Sequence, residues 1–230
     1  MRPFPIILAL GDVNDEIYGI TGAFVRYVND IAGRGLAKSV LPHDFLDLYA
    51  LDNYYWQVWN GGHCQFIANS DAMLGANLDH ALRGSEMLAM PELAQLLMEC
   101  RGWCDANPEE RDSLAGWDVR PKALDLLDDR FFAEDLMELD DAGHSAFVAS
   151  RSDAVRAWIE MTTTRTSSRS RNKYCLTAGA WLIGYPGTQI LSREEAMTAT
   201  ETVILAYSQP SWRPDRIARH LAARLKRMSW

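Results

Sequence analysis

The sequence predicts an all-α protein: a multi-helix, bundle-like domain followed by a C-terminal helical extension, with room for one short β-hairpin. Three observations carry this expectation. Apolar residues recur at three- and four-residue steps through most of the chain, and prolines and glycines fall at the ends of those stripes. Nowhere in the first 150 residues do apolar and polar side chains alternate as they would along a half-buried strand.

Each element follows from its own pattern. Ile6 to Leu10 is a short apolar run that reads as a buried strand or extended arm; it lacks the cationic flank and length of a signal peptide. Ile17, Ile20, Phe24, Val28 and Ile31 stripe a first helix, ended by Gly33 and Gly35. Phe45, Leu48, Leu51, Tyr55 and Val58 stripe a second, which runs up to Asn60-Gly61-Gly62. Met73, Leu74, Leu78, Ala81 and Leu82 give a third, stopped by Gly84. Pro91 reads as a first-turn proline ahead of Leu93, Leu96, Leu97, Cys100 and Trp103. Asn107-Pro108-Glu109-Glu110 reads as an N-cap, a proline at the first helical position and a capping-box glutamate. Pro121 opens a helix carrying Leu124, Leu127 and Phe131, and Leu136, Leu139 and Phe147 suggest one more before Ser150.

The small, polar and basic run within residues 162–173 reads as a linker, because it can bury little apolar area. The stretch from Tyr174 to Ile190, punctuated by Gly179, Gly184, Pro186 and Gly187, reads as a hairpin or a packed loop. Two helices close the chain, one from about Arg193 to Tyr207 and one starting at Pro214 that carries Ile217, Leu221, Leu225 and Met228.

At 230 residues the chain has the length of one large or two small domains. No apolar run approaches the roughly 20 residues of a membrane-spanning helix, so no membrane association is expected. Four cysteines do not make a disulfide framework at this length, and reduced thiols in a cytoplasmic setting are the expectation. The net charge of -8 conceals an asymmetry. Residues 1–150 carry 25 Asp and Glu against 10 Lys and Arg, a net of -15, whereas residues 151–230 carry 6 against 13, a net of +7. The expected organisation is therefore an acidic helical domain over 1–150 and a basic extension over 151–230.

Catalytic and metal chemistry finds little support. Cys100 and Cys104, with His63 and Cys64, make a conceivable zinc set, but the spacing is not that of a zinc knuckle and Cys100 falls on an apolar stripe. No metal is assigned. The five histidines show no paired ligand spacing, and Gly184-Tyr185-Pro186-Gly187-Thr188 lacks the lysine of a phosphate loop. No Gly-x-Ser-x-Gly elbow occurs. No cofactor is expected and no residue is nominated for catalysis.

The segment from Val58 to Asn69 follows the pattern Asn-Gly-Gly-aromatic-x-Gln-aromatic-x-x-Asn, with His63 where an aromatic is usual. Downstream, Ala81-Leu82-Arg83-Gly84, Leu96-Leu97 and Leu127-Asp128-Asp129-Arg130-Phe131-Phe132 fit the same family. Over about residues 43–150 the chain resembles a bacterial family of unknown function whose founding example is a DNA-mimic protein. The resemblance implies a helical core and binding to a DNA-binding regulator through carboxylates that stand in for phosphates. The motif residues Asn60, Gly61, Gly62, Gln65, Phe66 and Asn69 read as a structural corner. Asn60 would cap, the glycines would reverse the chain, and Gln65 and Asn69 would reach the preceding helix end. The same polar groups could instead floor a small-molecule or enzymatic pocket.

The candidate partner-binding face comprises Glu109, Glu110, Asp125, Asp128, Asp129, Glu134, Asp135, Glu138 and Asp141, several of them at steps that line one helix face. The expected role is non-catalytic binding to a DNA-binding or other basic protein, with transcription regulation as the setting. A plain solvated acidic face is the bland alternative. Direct nucleic-acid binding through Arg165, Arg169, Arg171, Arg213, Arg216, Arg219, Arg224, Lys226 and Arg227 is a further one, disfavoured by a pI of 5.1.

Overall fold

Helices run along most of the apolar stripes. The computed structural model describes residues 4–13, 18–114, 120–133, 136, 138–163 and 171–208. In chain order these form β1 (Ile6–Ala9), the single turn α1 (Leu10–Val13), α2 (Gly19–Gly33), α3 (His43–Ser70), α4 (Leu74–Met87), α5 (Pro91–Ala106) and the short α6 (Pro108–Asp112). They continue as α7 (Lys122–Phe131), α8 (Asp141–Ala149), α9 (Asp153–Thr163), α10 (Lys173–Gly184), β2 (Thr188–Leu191) and α11 (Arg193–Tyr207). The protein is all-α, with one two-stranded sheet among the described residues. No helix among the described residues is long and apolar enough to cross a membrane.

The chain divides into two compact units, one of residues 43–141 and one that joins residues 1–42 to 142–230. This differs from the expected break near residue 150. The reason is a long-range pairing: β1 lies parallel to β2, with Ile6 opposite Thr188 and Ala9 opposite Leu191. A parallel pair needs a long crossover, here the whole of the other unit and more. The run around Tyr174 to Ile190 is accordingly no hairpin. Most of it is helix α10, started by Asn172, whose side chain accepts a bond from the Cys175 backbone N–H.

In the 43–141 unit, Phe45, Leu48, Leu51, Tyr54, Tyr55 and Val58 line the buried side of α3, as their spacing requires. Helix α4 does not stop at Gly84 but continues to Met87. Gly84 is there for close approach: a Cβ at that position would come within 2.5 Å of the Asp47 carbonyl oxygen and 3.0 Å of Leu51. Asp47, buried, is held by His80 Nδ1 at 2.6 Å and Arg83 Nε at 3.1 Å, pinning α3 to α4. The expected cap at Asn107 is also revised. Its side-chain amide donates to the Trp103 carbonyl at 2.8 Å and so closes the helix before it, while no side-chain cap opens α6.

In the other unit, Ile20, Phe24, Val28 and Ile31 of α2 are buried with Ile6, Ile7 and Leu8 of β1. Tyr27 donates to the Pro5 carbonyl at 2.7 Å. Gly179 of α10 sits under Trp158 of α9, so a Cβ there would lie 2.2 Å from the indole ring. Helix α11 occupies the expected range and opens with a full capping box: Glu195 N–H donates to Ser192 Oγ at 3.3 Å, and Ser192 N–H to Glu195 Oε2 at 3.0 Å. The linker's 164–170 and the basic helix expected from Pro214 lie outside the described residues.

Candidate functional site: a buried corner and an acidic surface

The Gly61-Gly62 signature is a kink inside α3. Gly61 has φ -160 and ψ 18, and Gly62 has φ 76 and ψ -179; the Gly62 conformation is open essentially to glycine alone. The kink breaks the ladder of backbone hydrogen bonds and leaves the restarted helix with free N–H groups. Asp128, on α7, answers this. Its Oδ1 accepts from the His63 backbone N–H at 2.8 Å and from His63 Nδ1 at 2.5 Å. A carboxylate at a helix start also meets the positive end of the dipole. With Nδ1 donating to Asp128, Nε2 is the acceptor, and Tyr54 O–H donates to it at 2.8 Å.

Tyr54 and His63 are fully buried and Asp128 nearly so. Burial, more than any neighbouring charge, holds the Tyr54 hydroxyl well above its ordinary pKa, so it keeps the proton that it donates. Burial also pushes the Cys64 thiol up to about 11, with the Asp128 charge adding to the effect. Arg120 flanks the corner: one guanidinium nitrogen lies 3.6 Å from Asp128 Oδ2 and another donates to the Gly61 carbonyl at 3.4 Å. Around this polar core stand aromatic edges, with Tyr54 T-shaped to Phe66 at 5.0 Å and to Phe131 at 6.3 Å. His63 meets Phe131 edge-on at 6.4 Å, as an aromatic at its position would. Both imidazole nitrogens are occupied by protein groups.

The other signature residues brace the same kink. Gln65 and Asn69 both donate to Gln57 Oε1, at 2.7 and 2.8 Å, tying the two halves of α3 together. Phe66 is buried and Asn60 is exposed.

The acidic candidates separate. Glu109, Glu110, Asp129, Glu138 and Asp141 are exposed and Asp125 is half-buried. Asp128 is 6% exposed and faces inward, so it does not belong to a surface for partners. Glu134 and Asp135 lie outside the described residues. Three residues escaped the reading of the sequence: Tyr54, Arg120 and the helix pin Asp47. The signal for Asp128 was present, since it stands four residues after Leu124 and three before Phe131, on the buried stripe of α7.

A family described as DMP19-like protein matches residues 39–160. The chain belongs to the DMP19-like family. That match spans the whole 43–141 unit and continues through α8 into α9, further than the 43–150 expected from motifs alone. No curated protein and no solved structure matches the chain. In this DMP19-like protein, then, the family signature forms a packed and hydrogen-bonded joint. The charge of its 43–141 unit is a separate feature: 21 Asp and Glu against 6 Lys and Arg, a net of -15.

Proposed function

We propose that this chain is a non-catalytic protein-binding protein whose acidic unit stands in for the phosphate backbone of DNA and occupies a basic, DNA-binding regulator. The observation that carries the reading is charge placement. All of the net negative charge gathers in the 43–141 unit, and Glu109, Glu110, Asp129 and Glu138 are exposed there. A basic surface shaped for phosphates is drawn to such a field over long range and released from it by salt. Membership of a family founded on a DNA mimic adds to this reading. The inward-facing Asp128 serves the scaffold and takes no part in the proposed contact.

The test is affinity capture with the full-length chain from lysate of its source cells. The expected catch is a basic DNA-binding protein that elutes as salt rises, is displaced by duplex DNA, and binds less to a Glu109→Gln, Glu110→Gln, Asp125→Asn, Asp129→Asn variant. Capture of no basic protein, or binding indifferent to salt and to these four substitutions, overturns the proposal.

A further inference from the structure

Helix α7 and its C-terminal cap residue, Phe132, set carboxylates beside an exposed ring. Asp125, Asp129 and Phe132 stand four and three positions apart, a spacing that puts them on one helix face. The helical bond from Phe132 N–H to the Asp128 carbonyl, at 2.9 Å, carries that face as far as the ring. Phe132 is 47% exposed, and every other aromatic side chain among the described residues is buried or half-buried. The ring is nonetheless held in place. It meets Trp59 of α3 at 6.1 Å and Phe131 at 5.2 Å, both edge-on, and Trp59 in turn stacks on the buried Tyr55 at 6.2 Å. A lone exposed apolar side chain is ordinary. A ring braced by two others and flanked by a carboxylate has instead the make-up of a binding hot spot.

The cations nearest in sequence are engaged elsewhere or distant. Arg130 pairs with Glu99 on α5, and Arg120 lies against Asp128 and the Gly61 carbonyl at the buried corner. Lys122, at the start of α7, is ten positions from Phe132, about 15 Å along a helix. Asp129 is exposed, and among the described residues no cation is paired with it or with Asp125. The unit around them carries a net charge of -15. What complements this spot is a side chain both cationic and flat. A guanidinium can lie on a ring face and donate two parallel N–H bonds to a carboxylate, whereas an ammonium is a compact, strongly hydrated charge.

We propose that Asp129 and Phe132 anchor one arginine side chain of a basic partner protein. The guanidinium stacks on the Phe132 ring and pairs with the Asp129 carboxylate, and Trp59 positions the ring. This rests on the reading that the acidic unit binds a basic DNA-binding protein, and it adds which residues centre the contact and which cation they select. Glu109 and Glu110, on α6, act through charge and accept lysine or arginine alike. The anchor tells the two apart.

The probes are two acetylated peptide amides of equal charge, tetra-arginine and tetra-lysine, titrated into full-length protein by calorimetry at fixed ionic strength. Tetra-arginine is expected to bind several-fold tighter. Phe132→Leu keeps an apolar side chain at an exposed position and should leave the melting temperature unchanged. It is expected to weaken tetra-arginine about fivefold, the effect of one exposed cation–π contact, and to remove most of its advantage. Phe132→Tyr restores a ring face and should bind as the natural chain does. Asp129→Asn should weaken tetra-arginine more than tetra-lysine, whereas Glu109→Gln with Glu110→Gln should weaken both equally. An arginine advantage that survives either Phe132→Leu or Asp129→Asn, or no advantage at all, overturns the anchor. If both peptides still bind in a salt-sensitive way, the acidic-partner reading stands without it. Binding of neither peptide overturns the anchor and counts against that reading as well.

Discussion

Asp128 Oδ1 takes two hydrogen bonds from one residue, His63, at 2.8 Å from the backbone nitrogen and 2.5 Å from Nδ1. Sixty-five positions apart in sequence, the two residues make a helix cap whose oxygen comes from a different helix. The capped N–H exists only because Gly62 breaks the ladder, and the histidine ring is fixed on its far side by Tyr54. The kink, the cap and the contact between α3 and α7 are therefore one cooperative feature, in which loss of any member leaves a buried polar group without its partner.

Asp128→Ala should accordingly destabilise the protein by about 3–5 kcal/mol, the cost of removing one member of a buried charge-assisted set. Asp128→Asn keeps an acceptor and should cost less, about 1.5–3 kcal/mol. Asp129, its exposed neighbour, should tolerate Asp129→Asn within about 0.5 kcal/mol. Urea unfolding of the three variants measures the contrast. Equal midpoints for Asp128→Ala and Asp129→Asn would contradict the inward role.

Gly62→Ala tests the joint from the other side. The new Cβ would meet Asp128 Oδ2 at 2.1 Å, and the residue would have to hold φ 76, so steric and backbone strain coincide. A loss on the order of 3 kcal/mol is expected. Gly61→Ala should be milder, because φ -160 is extended backbone that any residue adopts. The order of the two melting temperatures decides it.

Much of this was legible in the sequence, because helices announce themselves through period and punctuation. The stripe from Phe45 to Val58, the proline at 91 and the span 193–207 all describe what a single segment does with its own apolar face. What stayed hidden depends on partners. Gly84 looks like a stop in one dimension, but in three it is the place where α4 touches the backbone of Asp47. Asn107 looks like a start and serves as an end. The run Asp128-Asp129 looks like one acidic patch, yet Asp128 is buried and Asp129 exposed. The pairing of β1 with β2 depends on residues more than 180 positions apart, and no local pattern encodes it.

The unit that carries this sheet has a close contact of its own to probe. Trp158 lies over Gly179 with no room for a methyl group, so Gly179→Ala must displace the ring. A cost of about 1–3 kcal/mol is expected, with a shift in tryptophan fluorescence as the buried indole moves. An unaltered spectrum together with undiminished stability would show that the ring is not held there.

Cys64 predicts a pH dependence whose sign follows from its environment. In the unfolded chain its thiol titrates at about 8.5, whereas in the folded protein burial and Asp128 raise it to about 11. Between those values the folded state retains a proton that the unfolded state has lost, so stability is complete below about pH 8.5 and declines as pH rises toward 11. Cys64→Ala removes this contribution without adding a polar group. Denaturation midpoints measured from pH 7 to 11 should fall more steeply for the natural chain than for the variant, and parallel curves would rule out a thiol held protonated beside Asp128.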